Sequence, residues 1–166
     1  MTQTAYLAGG CFWGMEELLR NISGVWATEV GYCGGSAQDA LYERVKTGNT
    51  GHAEAIKIQF DPVQLDYRHL LFEFFRMHNP TMPNRQGNDH GTQYRSVIFY
   101  LDEAQKKLAE TVIKAVDDSG DWKAKVVTEL VPYTAFYSAE EYHQKYLQKH
   151  PHGYNCHYMR KMALGE

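Results

Sequence analysis

An α+β domain of two layers, with a mostly antiparallel sheet, is what this sequence predicts, and three observations carry that reading. Stretches rich in β-branched and aromatic residues are interleaved with stretches whose apolar residues recur every three or four positions. These come in the order strand, helix, strand, strand, helix, strand, then helix, strand, helix. At 166 residues, with 43% apolar and 22% charged residues, the chain has the size and composition of a single domain able to bury a real core.

Each element has its own warrant. Thr4 to Ala8 is a short apolar strand. After it Phe12, Met15, Leu19 and Ile22 fall on one face of a helix that runs to about Asn21 and stops at Gly24. Val25 to Tyr32 alternates as a second strand, broken by Gly31 and the Gly34-Gly35 pair. Residues 36 to 51 are polar, with a short helical possibility from Leu41 to Val45. Ala53 to Phe60 is a third strand, whose parity sets Glu54, Ile56, Ile58 and Phe60 on one face and Ala53, Ala55, Lys57 and Gln59 on the other. Asp66 caps a helix with the stripe Leu70, Leu71, Phe74, Phe75 and Met77, ended by Pro80. Residues 79 to 93 have no hydrophobic period, and so long a structureless stretch is usually functional.

Arg95 to Leu101 follows as a strand, and Asp102 with Gln105 is a capping-box signature for a helix to about Val116. Lys125 to Val131 reads as a last strand, and Ser138 with Glu141 as the cap of a final helix to about Lys149. The first six elements follow the order of a split βαβ, or ferredoxin-like, core. Residues 1–166 are thus expected to form one domain, with 151–166 a C-terminal extension that wraps or moves.

Composition excludes several function classes. The net charge of -3, with mixed signs, leaves no basic footprint for nucleic acid. No apolar run approaches a membrane span, and the N-terminus lacks a basic start before a hydrophobic segment, so a cytoplasmic-type protein with no membrane partner is expected. Cys11, Cys33 and Cys156 are widely spaced and no C-x-x-C occurs, so neither a disulfide scaffold nor a thioredoxin-type motif is present. His152, Cys156 and His157 lie close together but lack a second ligand pair, so no metal is expected. The nucleotide-binding glycine motifs, H-E-x-x-H and G-x-S-x-G are all absent.

The chemistry gathers on Gly9-Gly10-Cys11-Phe12-Trp13-Gly14. Cys11 stands where a strand turns into a helix, and unpaired N–H groups and the macrodipole there favour an anion, which lowers a thiol's pKa. The competing reading is a small buried hydrophobe, against which stand the glycines, since they permit close approach from outside. Glu54, on the core-facing stripe, is either buried and held protonated, or frayed out, paired and ionised. The 12 tyrosines point to a phenol-lined site or to a wet core edge.

Gly10-Cys11-Phe12-Trp13-Gly14 resembles the signature of the A-type peptide methionine sulfoxide reductases. Gly31-Tyr32-Cys33-Gly34-Gly35, Tyr42-Glu43-Arg44-Val45, Gly48-Asn49-Thr50-Gly51-His52-Ala53-Glu54, His78-Asn79-Pro80 and Asp89-His90-Gly91-Thr92-Gln93-Tyr94-Arg95-Ser96 are similar to that family's other blocks, in order. The resemblance covers Ala5 to about Gly153. It implies reduction of the S epimer of methionine sulfoxide, free or in oxidised proteins, with no cofactor. Cys11 would attack the sulfoxide sulfur and end as a sulfenic acid. Glu54 would protonate the departing oxygen, and Tyr42 and Tyr94 would hydrogen-bond it. Phe12 and Trp13 would take the substrate's methyl group, and Asp89 would face its backbone side. Cys156 is implied as the resolving thiol, and the Cys11–Cys156 disulfide would be reduced by thioredoxin or a similar dithiol protein. Cys33 departs from that pattern: as a glycine-flanked thiol it is the alternative resolver, and its place at a strand end favours a structural bystander. A monomer is expected. The other classes to weigh are a thiol hydrolase or acyltransferase, with His52 or His90 as base and Asp89 as orienter, and a binding module without turnover.

Overall fold

The computed structural model describes residues 1–166. In chain order the elements are β1 (Gln3–Gly9), α1 (Phe12–Leu19), β2 (Val25–Cys33), α2 (Tyr42–Val45), β3 (Ala53–Phe60), α3 (Tyr67–Met77), β4 (Arg85–Gln86), β5 (Asp89–His90), β6 (Ser96–Tyr100), α4 (Glu103–Ser119), β7 (Glu129–Pro132), β8 (Phe136–Ser138) and α5 (Tyr146–Lys149). Six strands form one sheet in the order β7-β6-β1-β3-β2-β8. Strand β3 runs antiparallel to both β1 and β2, β6 antiparallel to β1, and β8 antiparallel to β2, while β7 alone is parallel to its neighbour.

Two cores flank this sheet. On one face Leu7, Ile56, Ile58 and Phe60 pack with Met15 and Leu19 of α1, Leu70 and Phe74 of α3, and Val112 of α4. On the other face Tyr6, Ala8, Cys33, Ala53, Ala55, Val97 and Phe99 form a smaller cluster without helical residues. Strand parity therefore holds for β3: Glu54, Ile56, Ile58 and Phe60 are all buried. The expected caps form as well. Asp66 Oδ1 accepts from His69 N–H at 2.7 Å, and Asp102 Oδ1 from Gln105 N–H at 2.8 Å. The Gln105 side chain reaches back to Leu101 N–H, so the capping box closes one residue outside its usual partner. Helix α4 runs past Val116 to Ser119 and ends at Gly120, whose φ of 69° suits glycine.

Three expectations need correction. Residues 79 to 93 are not structureless, since β4 and β5 pair as a small hairpin within them. The last core strand is shorter than Lys125 to Val131, because Val126 N–H is taken by Asp117 and Val127 N–H by the Pro80 carbonyl before β7 begins. Ser138 caps no helix: it ends β8, and a 3₁₀ turn over Glu141–His143 follows. A continuous helix is prevented there by the left-handed backbone of Lys145, φ 52°, and by Gln144, which caps the edge of β2 at Val30 through its side chain.

Residues beyond α5 have no regular structure, yet they wrap the body. The His157 ring donates to the Gly9 carbonyl, the Arg76 guanidinium to those of Met162 and Ala163, and Leu164 is fully buried. No helix is long and apolar enough to cross a membrane.

Candidate active site

Strand β1 delivers Cys11 to the N-cap of α1, through Gly10 at φ 101°. Strand β3 delivers Glu54 from its first turn of pleat, and the Phe12 N–H donates to Glu54 Oε1 at 3.1 Å. One of the N–H groups freed by the helix start is thus spent on the acid rather than on the thiol. Tyr42 opens α2, where its N–H donates to Glu140 Oε2 at 2.9 Å while Tyr32 O–H donates to Glu140 Oε1 at 2.7 Å. Tyr94 closes the 3₁₀ turn Thr92–Tyr94. That turn is laced to the loop after α2 by Thr92 Oγ1 on the Gly48 carbonyl and by Arg95 on the carbonyls of Thr92 and Gly51. The lacing holds the two phenols on one pocket.

That pocket, of about 250 Å³, is lined by Cys11, Phe12, Trp13, Tyr42, Glu54, Asp89, Tyr94 and Tyr154. Every site residue expected from the sequence lies in it except Cys156, which stands behind Asp89, its Sγ 3.6 Å from Asp89 Oδ2. All three cysteines are free thiols. A larger cleft of about 640 Å³ beside the end of α4 is lined by charged residues such as Lys114, Asp118 and Lys123, with no nucleophile.

The electrostatics divide the site by role. Burial raises the Glu54 carboxyl from 4.5 to about 8, against the Phe12 N–H, and the Asp89 charge adds to the rise. Glu54 is therefore neutral at physiological pH. Burial also raises Tyr42 and Tyr94, so both phenols keep their donor hydrogens. The expectation of a depressed thiol pKa fails. Burial, the largest cause, pushes Cys11 well above its ordinary range; Glu54 adds to the rise only once it is ionised, and the Trp13 N–H opposes it. With 9% of its surface exposed, Cys11 is too desolvated for one helix N-terminus to hold it as an anion.

Several residues around the pocket escaped the sequence reading. Trp13 stacks on Tyr146 with ring centroids 3.7 Å apart, and its Nε1–H donates to His143 Nδ1 at 3.0 Å. Glu16, buried in α1, accepts from Thr28 Oγ1 and from both Lys145 N–H and Nζ. These contacts strap residues 140–149 across α1 from over a hundred positions away, and no local pattern marks them. Tyr154 had one available signal, its place two residues before Cys156. His52 cannot serve Cys11 as a base: its Nδ1 accepts from Gly35 N–H and its Nε2 bonds the Ser36 carbonyl. His90 is exposed and outside the pocket. Cys33 lies on the other face of the sheet, donates to the Ala135 carbonyl at 3.2 Å and is raised by burial to about 12.

The family model for peptide methionine sulfoxide reductase matches residues 3–165 of this chain. The chain belongs to the peptide methionine sulfoxide reductase family. One relative, the peptide methionine sulfoxide reductase MsrA of Streptomyces coelicolor, is 56% identical over 159 residues, which cover 96% of this chain and 90% of the relative. Among solved structures, reduced Mxr1 from Saccharomyces cerevisiae is 38% identical with a TM-score of 0.91, covering 96% of this chain and 93% of its own. Mxr1 in complex with Trx2 is also similar, at 26% identity and a TM-score of 0.66, covering 96% of this chain and 91% of its own. Membership of this reductase family makes methionine sulfoxide reduction, rather than thiol hydrolysis, the reaction for the pocket to explain.

Proposed function

We propose that the pocket reduces the S epimer of methionine sulfoxide, free or within oxidised proteins, and so repairs oxidative damage. The observation that carries this reading is a buried carboxyl, neutral at physiological pH, facing the same small cavity as a cysteine and two protonated phenols. A sulfoxide oxygen is a poor leaving group until it is protonated. Glu54 supplies that proton, and Tyr42 and Tyr94 donate to the oxygen as charge develops on it. Phe12 and Trp13 receive the methyl group, and Asp89 accepts from an N–H on the substrate's backbone side.

The raised pKa of Cys11 fits this sequence of events. While Glu54 is neutral it exerts no repulsion, and protonating the sulfoxide oxygen makes the sulfur electrophilic, which favours the thiolate at the moment of attack. The Cys11 sulfur attacks the sulfoxide sulfur, the methionine S–O bond breaks and the oxygen passes to Cys11. Cys11 is oxidised to a sulfenic acid, the methionine sulfur is reduced to the sulfide, and the thiol proton replaces the one Glu54 gave. Cys156 then condenses with it to a disulfide and water, and a thioredoxin-like dithiol returns both thiols. The solved complex of Mxr1 with Trx2 supports such a partner.

The chain acts as a single catalytic domain, a reading supported by a pocket whose lining runs from Cys11 to Tyr154. Three widely spaced cysteines that make no disulfide scaffold support a reducing, cytoplasmic setting. The order β6-β1-β3-β2, with α1 and α3 as crossovers, supports a ferredoxin-like core to which β7 and β8 are added. The test is a racemic methyl sulfoxide with a dithiol reductant: one epimer should be consumed and its mirror image left, and Cys11→Ser should consume neither. Equal consumption of both epimers would refute the stereochemical reading.

A further inference from the structure

Two glycines bracket the Cys11-Phe12-Trp13 run, and one of them sits where a helix ordinarily disfavours glycine by about 1 kcal/mol. Gly14 lies inside α1, yet a Cβ there would come within 2.5 Å of both His157 Nδ1 and Asn155 Oδ1. A Cβ at Gly10 would come within 2.7 Å of the Gln86 side chain and within 3.0 Å of His157 Nε2. The two glycines therefore form a seat for one imidazole, contributed by the C-terminal tail and only 6% exposed.

The seat fixes which ring nitrogen carries the proton. His157 Nε2 lies 2.7 Å from the Gly9 carbonyl oxygen, which can only accept, so Nε2 holds the hydrogen. The lone pair is left on Nδ1, and Nδ1 lies 3.7 Å from Cys156 Sγ. Burial lowers the His157 pKa below its ordinary range, opposed by the Gly9 carbonyl and the Asp89 charge and assisted by Arg160. The other titratable neighbour, His78, is neutral, with its pKa lowered by burial to about 3. The ring thus keeps its lone pair at physiological pH. Cys156 needs such a partner, because burial raises its own thiol.

We propose that His157 is the general base of the second half of the cycle, activating Cys156 for attack on the Cys11 sulfenic acid. The inference rests on reading Cys156 as the resolving thiol. The Cys156 S–H proton passes to His157 Nδ1 as the Cys156–Cys11 S–S bond forms and the Cys11 S–O bond breaks. The leaving hydroxide takes the proton from the imidazolium and departs as water. The Cys156 sulfur is oxidised and the Cys11 sulfur reduced, with no other reagent consumed. The Asp89 carboxylate is the other acceptor near this thiol, at 3.6 Å, and the Asp89→Asn variant separates the two.

The test is a rapid-quench single turnover without external reductant, counting sulfide released and Cys11–Cys156 disulfide formed. His157→Gln can still donate to the Gly9 carbonyl but offers no base. It should release one sulfide per Cys11 at the wild-type rate, accumulate sulfenic acid, and form the disulfide about 100-fold more slowly near pH 7. The deficit should shrink only as the pH rises past the ordinary thiol range of about 8.5, because burial delays unaided ionisation of Cys156. A wild-type disulfide rate near pH 7, or a deficit equal at every pH as a displaced tail would give, overturns the proposal. So does a pH-dependent deficit that appears in Asp89→Asn instead. The unsubstituted protein gives a second reading should the variant not fold. Its disulfide step should lose rate only below the ordinary histidine value of about 6.5, and an acid limb in the thiol range above about 8 refutes the base. Cys156→Ser separates the two levels: if it still forms an internal disulfide at the wild-type rate, the resolving assignment itself fails.

Discussion

Glu54→Gln is the substitution that isolates proton donation from everything else Glu54 does. The amide oxygen can still accept from Phe12 N–H, as Glu54 Oε1 does at 3.1 Å, and the volume is unchanged, but no acidic proton remains. With a carboxyl pKa of about 8, roughly nine in ten molecules hold that proton at pH 7. Losing a general acid costs about 10²–10⁴ in kcat, or roughly 3–5 kcal/mol of transition-state stabilisation. KM should change little, since the amide can still hydrogen-bond the sulfoxide oxygen. Steady-state reduction of a small sulfoxide across pH reads both effects. In the wild type the rate should fall as pH rises through about 8, because Glu54 deprotonates there, and in Glu54→Gln that limb should vanish.

The same carboxyl links stability to pH. Its pKa is higher folded than unfolded, so the folded state binds the extra proton from about 4.5 to about 8. The stabilising contribution is fully present below about 4.5 and is lost as pH rises through about 8. The range corresponds to at most about 5 kcal/mol for a fully buried group, a loss Glu54→Gln should be spared. A variant within tenfold of the wild type in kcat, or one that keeps the basic limb, would refute Glu54 as the acid.

Other outcomes follow from neighbouring groups. Tyr42→Phe and Tyr94→Phe should each lower kcat by about 10²-fold in the manner of a lost oxyanion donor, checked by the same assay. Cys156→Ser should complete about one turnover with thioredoxin yet keep cycling with a small thiol; undiminished thioredoxin-driven cycling would contradict the resolving role. Cys33→Ala should leave that cycling intact, measured by thioredoxin oxidation, because the thiol lies on the far face of the sheet. Lys145→Met should cost about 2 kcal/mol or more in denaturant unfolding, since it leaves the Glu16 carboxylate buried with fewer donors.

What the sequence made legible was local. The parity of β3 placed Glu54 on the core face, and the caps Asp66 and Asp102 marked their helices, because each depends on residues a few positions apart. Contacts between distant segments were not legible. Glu140 under Tyr42, the Tyr146 ring on Trp13 and the His157 ring on Gly14 join positions about a hundred or more apart, and nothing in spacing announces them. The same blindness misjudged Cys11. A helix start suggested a stabilised thiolate, but burial, visible only in three dimensions, outweighs it. The false cap at Ser138 arose likewise, since Gln144 and Lys145 are held by β2 and Glu16 rather than by a helix of their own.

The central claim is that Cys11 takes the oxygen and Cys156 resolves it. Mass mapping of the wild type and of Cys156→Ser after one turnover, without reductant, tests it most directly. The account predicts a Cys11–Cys156 disulfide in the wild type, and one added oxygen on Cys11 with Cys33 unmodified in the variant. A disulfide through Cys33, or three free thiols after sulfide has been released, would contradict it.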